Sequence, residues 1–433
     1  MAHIHIPDDV PARYLSRDQT GRTVAVALFA IGAVAFFVTL GRDSSLAWKS
    51  YVVNWNYFAS LSMGGVMVGV VTWITKAKWN WSLRRVHQAL GAYLPVAFVL
   101  FIPMLLVLRE DYFPWIDMMA SDPIVQKKAA YLNIPFLVAR NLVGVTALFG
   151  MAVGFIYLAV RPDMGRKPER DDRGRSTWRE RLSSGWGGQE EEEDRSYHRM
   201  TRLSPAIVFT YAVVMTMLAF DWAMSLEPHW FSTVFGAWFF MGAFWGGLAT
   251  TAVTAIWLKG KDAAVDQHVG TQQLWDLGKL TFAFTVFWTY LFWSQYLVIW
   301  YGKLPWEQAW IIRRSAEPWG GLSTLVLVLC FVVPFAGLIG AQPKKTPQIF
   351  RIFASIILVG LWLWHYMLIF PSLHHEGDPV MSIWTPLIGL MFLGLFMMCV
   401  GWFLSTFPML QVWQPQVDPE PLETETHALA GVR

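Results

Sequence analysis

The chain has 433 residues, of which 55% are hydrophobic and 16% aromatic, with only 15% charged and a positive mean hydropathy. So many apolar runs of spanning length exclude a single soluble core and predict an all-α, polytopic membrane protein. The net charge of +3 leaves no nucleic-acid footprint. Its two cysteines, Cys330 and Cys399, stand in apolar runs without CxxC or CxxCH, which excludes a four-cysteine iron–sulfur cluster and a c-type haem.

Residues 1–22 are polar, which predicts a cytoplasmic amino-terminal segment with no cleavable signal, so that the first span directs insertion. Ten apolar runs follow, at 23–41, 52–75, 86–108, 131–160, 204–226, 230–258, 274–300, 319–340, 347–371 and 383–408. Spans 1–4 thus occupy 23–160 and spans 5–10 occupy 204–408. Between them, 161–203 is Gly-rich and mixed in charge and predicts a flexible cytoplasmic linker; 409–433 reads as a solvated cytoplasmic tail. The amino terminus, even-numbered loops and carboxyl terminus carry about 24 Lys and Arg against about 8 in the odd-numbered loops, so both termini are expected in the cytoplasm. Lys76, Lys78, Arg84 and Arg85 read as a basic anchor near lipid phosphates on that side. Most of the 25 Trp lie near span ends, at the expected headgroup level.

YFASLSMGG (57–65) aligns with FFMGAFWGG (239–247), and ALG (89–91) with DLG (276–278). The similar offsets predict a parallel duplication, with four-helix bundles formed by spans 2–5 and 6–9 and flanked by spans 1 and 10. The glycines let helices approach closely.

Ionisable groups in hydrocarbon are expensive, so each one marks either a pairing partner or chemistry. The most unusual segment is FDWAMSLEPHWFSTVFG (220–236), where Asp221, Glu227 and His229 close span 5. Asp221 shares a helix face with Ser225, and Arg140 in span 4 is its expected counter-charge. Glu227 and His229 either cap the turn between spans 5 and 6 or take part in proton transfer. His365, beside Trp364 and Tyr366, is either a satisfied core histidine or a quinone ligand or relay. Asp276 and Lys279 open span 7 three residues apart, as a local ion pair or with a snorkelling Lys, or else as part of a proton path. Asp221, Glu227, His229, His365, Arg140, Tyr366, Lys279 and Asp276 are therefore the proton-relay candidates. Glu110 and Asp111 follow span 3. His374, His375 and Glu376 sit in the ninth loop, where adjacent side chains diverge and predict surface contacts rather than a metal site. Only His365 lies well inside a span, so haem b is not expected.

Ten spans, a doubled four-span unit and no cofactor ligands resemble the NrfD/PsrC-like membrane subunits of quinone-linked oxidoreductases. DWAMSLEPHWFSTVFG (221–236) is most similar to the ActF family of bacterial alternative complex III. WNYFASLSMGG (55–65), LRR (83–85) with LP (94–95), YFPW (112–115) and KKAAYLNIPFLVARN (127–141) are similar too, over residues 45 to 410. The resemblance implies a multi-pass inner-membrane subunit of a menaquinol-oxidising complex that reduces a periplasmic cytochrome c or blue-copper protein. Haem c and the iron–sulfur clusters would reside on partner subunits ActA, ActB, ActC, ActD and ActE, with the quinol site attributed to ActC. Within such a complex the chain is expected either to relay protons released at the outer face or to act as a structural and docking subunit. A secondary transporter is the remaining alternative.

Overall fold

The structure is a computed structural model that describes residues 6–7, 10–17, 19–107, 112–165, 173–375 and 377–414. Among these residues there is no strand. Ten helices are long and apolar enough to cross a membrane: α1 (Gln19–Arg42), α2 (Ser44–Ile74), α3 (Arg84–Val107), α4 (Ile134–Gly165), α5 (Gln189–Leu226), α6 (Phe235–Lys259), α7 (Thr271–Gly302), α8 (Gly320–Leu338), α9 (Pro347–Leu373) and α10 (Trp384–Thr406). The chain is an all-α, multi-pass membrane protein.

Local sequence explains where these helices start and break. Asp43 accepts the Leu46 N–H at 2.9 Å to cap α2, and Asn133 does the same for Phe136 at 2.9 Å to open α4. Pro347 opens α9, where a missing N–H costs nothing. In α3 the regular helix stops at Gly91 and resumes at Leu94, just before Pro95, which has no N–H to continue the ladder. α8 contains a π-helical turn over Val328–Val332, immediately before Pro334. It packs where α9 has Gly360, whose Cβ position lies 2.7 Å from the Cys330 Sγ.

Two boundaries depart from expectation. The segment expected as a flexible linker is helical over Arg173–Leu182 and again from Gln189, where α5 begins. Glu190, Glu191 and Glu192 occupy the first turn of α5, where carboxylates suit the helix dipole. Glu192 is buried against Arg161, which donates to it at 2.6 and 3.0 Å. The expected tail is also folded in as far as Trp413. Leu15 N–H donates to Leu404 O at 2.9 Å, and Met409 N–H to Arg13 O at 2.7 Å, so both ends of the described chain meet on one side of the molecule. Residues beyond 414 lie outside the described part.

α2 and α6 are the most buried of the ten helices and pack along each other. Their seam is built by the two sequence-matched segments. A Cβ on Gly64 would lie 1.9 Å from the Ala243 carbonyl oxygen, and one on Gly247 would lie 2.2 Å from the Gly64 carbonyl carbon. Glycine at both positions thus permits direct backbone contact. Around this seam α2, α3, α4 and α5 neighbour one another in sequence order, as do α6, α7, α8 and α9; α2 also touches α9, α6 touches α5, and α1 runs along α10. The result is one contiguous apolar core.

Candidate functional site

The unusual polar residues gather at the end of the molecule opposite the ends of the described chain, where the odd-numbered helices finish. Asp221 is fully buried near the end of α5. Arg140 of α4 grips it with two donors, Nε to Oδ2 at 2.9 Å and Nη2 to Oδ1 at 2.7 Å. Tyr131 donates its hydroxyl to Oδ1 at 2.9 Å, and Asn141 its amide to Oδ2 at 2.5 Å. Four donors therefore saturate the carboxylate, which is the condition under which a buried charge is tolerated. A second tier holds the first. Trp222 Nε1–H donates to Asn141 Oδ1 at 2.9 Å, and Arg140 Nη1 to the Tyr131 carbonyl at 2.8 Å. The guanidinium also stacks 3.9 Å above the Tyr131 ring. Ser225 Oγ turns to the Asp221 carbonyl at 2.7 Å rather than to its carboxylate.

Glu227 lies one step beyond α5 and belongs to a separate cluster. Arg314, on the short helix Pro305–Ser315, donates Nη1 to Glu227 Oε1 at 2.9 Å, and Ser372 donates to the same oxygen at 2.6 Å. Arg314 also donates to the carbonyls of Met367 at 2.9 Å and Leu368 at 3.1 Å, closing the last turns of α9. Its guanidinium lies 3.9 Å from the Trp310 ring, and Trp310 stacks on Trp230 with centroids 4.4 Å apart. Burial acts to raise the Glu227 carboxyl, but Arg314 and Ser372 outweigh it and hold it below its ordinary value. Burial pushes Arg314 down to about 10, so it stays charged at neutral pH.

His229 meets Asp122, Nε2 to Oδ2 at 2.5 Å, on a half-exposed rim. Burial acts to raise the Asp122 carboxyl, and the N–H groups of Ile124 and Val125 together with His229 more than offset it, leaving it lowered. The segment 221–230 therefore distributes Asp221, Glu227 and His229 to three different partners instead of converging them on one point.

His365 is placed elsewhere. It is buried in α9 among the rings of Tyr57, Phe239 and Trp364, with centroids 5.7, 5.6 and 4.9 Å away. Nδ1 sits 2.8 Å from the Leu361 carbonyl, so Nδ1 carries the proton and Nε2 is a buried acceptor with no partner among the described residues. Tyr366 points away from it and donates to the Val380 carbonyl at 2.6 Å. At the other end of the molecule Asp276 and Lys279 pair at 2.5 Å, far along α7 from these groups. His374 packs edge-on against Trp319, and the His375 N–H is bonded to Asp378 at 3.1 Å. Glu110, Asp111 and Glu376 lie outside the described residues. Among those described, no three His, Cys, Asp or Glu side chains converge as a metal site.

Several functional-looking partners escape sequence reasoning. Arg314, Asp122 and Ser372 carried no signal, since their partners lie roughly a hundred residues away and the loops hold other charges. Asn141 had one, an amide directly beside Arg140 in an apolar run. Arg85 reads as a lipid-facing anchor, yet it is wholly buried and paired with Asp163, which also accepts the N–H groups of Val412 and Trp413 at 3.1 and 3.0 Å. The buried guanidinium is tolerated because the Asp163 carboxylate supplies its counter-charge inside the fold, in place of the expected lipid phosphate. Next to it His87 joins Asn80 at 2.9 Å and Thr251 at 3.1 Å. No family model and no curated protein matches the chain.

Proposed function

We propose that the chain is a membrane subunit, without redox cofactor of its own, of a quinol:electron acceptor oxidoreductase of the alternative complex III type. It serves there as a structural and docking subunit for menaquinol oxidation. Haem c and iron–sulfur clusters would be carried by partner subunits. The similarity of 221–236 to the ActF family supports the assembly, and the Lys and Arg distribution supports a bacterial inner-membrane location with both termini cytoplasmic.

One observation favours the structural role. Each ionisable residue of the distinctive segment is committed within the chain: Asp221 to Arg140, Glu227 to Arg314 and His229 to Asp122. A proton relay needs a group that changes protonation at little cost, whereas Asp221 would forfeit a bidentate ion pair and two further hydrogen bonds on accepting a proton. The same bonds lock α4, α5, α9 and two loops into one rigid cap, on which a partner subunit can seat.

A second reading, proton relay, is favoured only at His365, whose Nε2 is an unpartnered acceptor. Transport has less support. The interruptions fall in α3 and α8, which are not corresponding members of the two sequence-matched halves, whereas repeat transporters break matching helices.

The test is isolation of the tagged chain from its native membrane in mild detergent. Co-purifying haem c protein and menaquinol oxidation by the isolate are the expected result. A chain that purifies alone and without quinol oxidation contradicts the proposal.

A further inference from the structure

The half of the molecule formed by α6–α9 holds a cavity of about 160 Å³, bordered on one side by Arg314 of the Glu227 cluster. Its inner wall is three tryptophans from three helices: Trp238, Trp288 and Trp364. Their centroids are 5.3 Å (Trp238–Trp288), 4.8 Å (Trp238–Trp364) and 5.5 Å (Trp288–Trp364) apart. All three rings are almost completely buried, and none of their indole N–H groups has an acceptor among the described residues. The Trp288 nitrogen lies against Gly242, where a Cβ would come within 3.3 Å of it. Elsewhere buried tryptophans occur both ways: Trp55 donates to Ala97 O at 2.8 Å and Trp245 to Thr281 O at 3.1 Å, whereas Trp81, Trp115 and Trp230 also lack an acceptor among the described residues. An unpaired buried donor costs about 1–3 kcal/mol, so three of them in mutual ring contact beside one cavity invite an acceptor.

The remaining wall narrows the chemistry. Arg314 lines the cavity, but its donors are already directed at Glu227, Ser372 and three backbone carbonyls, and Glu227 neutralises it. An anion therefore finds no free cation here. Leu327 and Ser315 also line the cavity and are exposed, so it runs from the tryptophan wall to the lateral surface between α7 and α8. The π-helical turn of α8 begins at Val328, next to that opening. Cavities of roughly 150 Å³ hold a benzene-sized ring.

We infer that this cavity is a binding site for a neutral, membrane-soluble molecule that enters between α7 and α8 and offers a carbonyl oxygen on an apolar head to the tryptophan wall. Two sources carry that chemistry, the head ring of a prenylated quinone and the ester region of a glycerolipid. Choosing the quinone rests on the proposed function; the preference for a neutral carbonyl does not.

The experiment uses the purified complex in nanodiscs with two photoreactive probes, an azido-quinone and a glycerolipid with a diazirine in its acyl chain, followed by peptide mapping. The expected result is quinone-probe labelling of α7 or α8 near the cavity, competed by excess menaquinone. Trp238→Phe and Trp364→Phe keep an aromatic ring and remove the N–H, and each should weaken apparent binding about threefold to tenfold, the worth of one hydrogen bond. Unchanged thermal unfolding of these variants would separate lost binding from lost folding. Labelling by the lipid probe alone, with the same loss in both variants, supports the carbonyl site and assigns it to lipid. Absence of site-specific labelling by either probe, or full binding in both variants, overturns the proposal. A labelled cavity in a complex that does not oxidise quinol would contradict the proposed function and leave the site standing.

Discussion

Among single residues, Asp221 is the most heavily bonded of the buried carboxylates at this end of the molecule. Its carboxylate and Arg140 form a buried pair, and removing one partner of such a pair strands the other charge at a cost of about 3–5 kcal/mol. Asp221→Asn is therefore expected to lower the thermal unfolding temperature markedly in detergent. The double change Arg140→Met with Asp221→Leu should cost less than Asp221→Asn alone, because it removes both charges together. Glu227 gives a pH signature. Its folded-state carboxyl lies below the ordinary value of 4.5, so the ionised form adds stability that is complete above that value and fades as pH falls through the folded-state value. The margin of the native protein over Glu227→Gln in denaturant or thermal unfolding should be greatest at neutral pH and shrink on acidification. A margin that grew on acidification would contradict the assignment. Legibility at this scale followed sequence context. Asp221 and Arg140 stood out as charges in apolar runs, whereas Arg314 and Asp122 lie between the apolar runs, where a charge is unremarkable in the sequence.

The helices make a different kind of demand. The α2–α6 seam depends on glycines that let two backbones touch, and the matched sequence segments already point to these glycines. A methyl group at Gly64 or Gly247 has no space, so Gly64→Ala and Gly247→Ala should each destabilise by about 1–3 kcal/mol or more, the usual range for overpacking. Gly150→Ala, where nothing lies within 4 Å of the added carbon, should be neutral or slightly stabilising because alanine favours helix. Comparing the three unfolding temperatures checks both statements. Helix existence was legible because a single apolar run of spanning length can satisfy its own backbone in hydrocarbon only by coiling into a helix. The start of α5 was not: QEEEED is polar enough to look like linker, and only its position at a helix N-terminus with Arg161 facing Glu192 makes it helix. Nor does periodicity reveal the π-helical turn of α8 or the fold-back of residues 407–413, both of which depend on tertiary neighbours.

Taken as a whole, the molecule gathers the ends of its described chain on one side and its most unusual polar residues on the other. The ten spans among the described residues place both ends of the described chain on the same side, and the Lys and Arg excess makes that side cytoplasmic in the proposed orientation. A membrane-impermeant maleimide should then label His375→Cys in intact spheroplasts and Lys261→Cys only after permeabilisation; the reverse pattern would invert the molecule. With this orientation the cap built by Asp221, Glu227 and His229 faces the periplasm, where electron-carrying partner subunits would dock. If Asp221 holds this cap together and does not pass protons, purified complex carrying Asp221→Asn should show a reduced yield of assembled complex with native quinol turnover per haem in the fraction that assembles. A fully assembled, stable complex that has lost turnover would contradict that role.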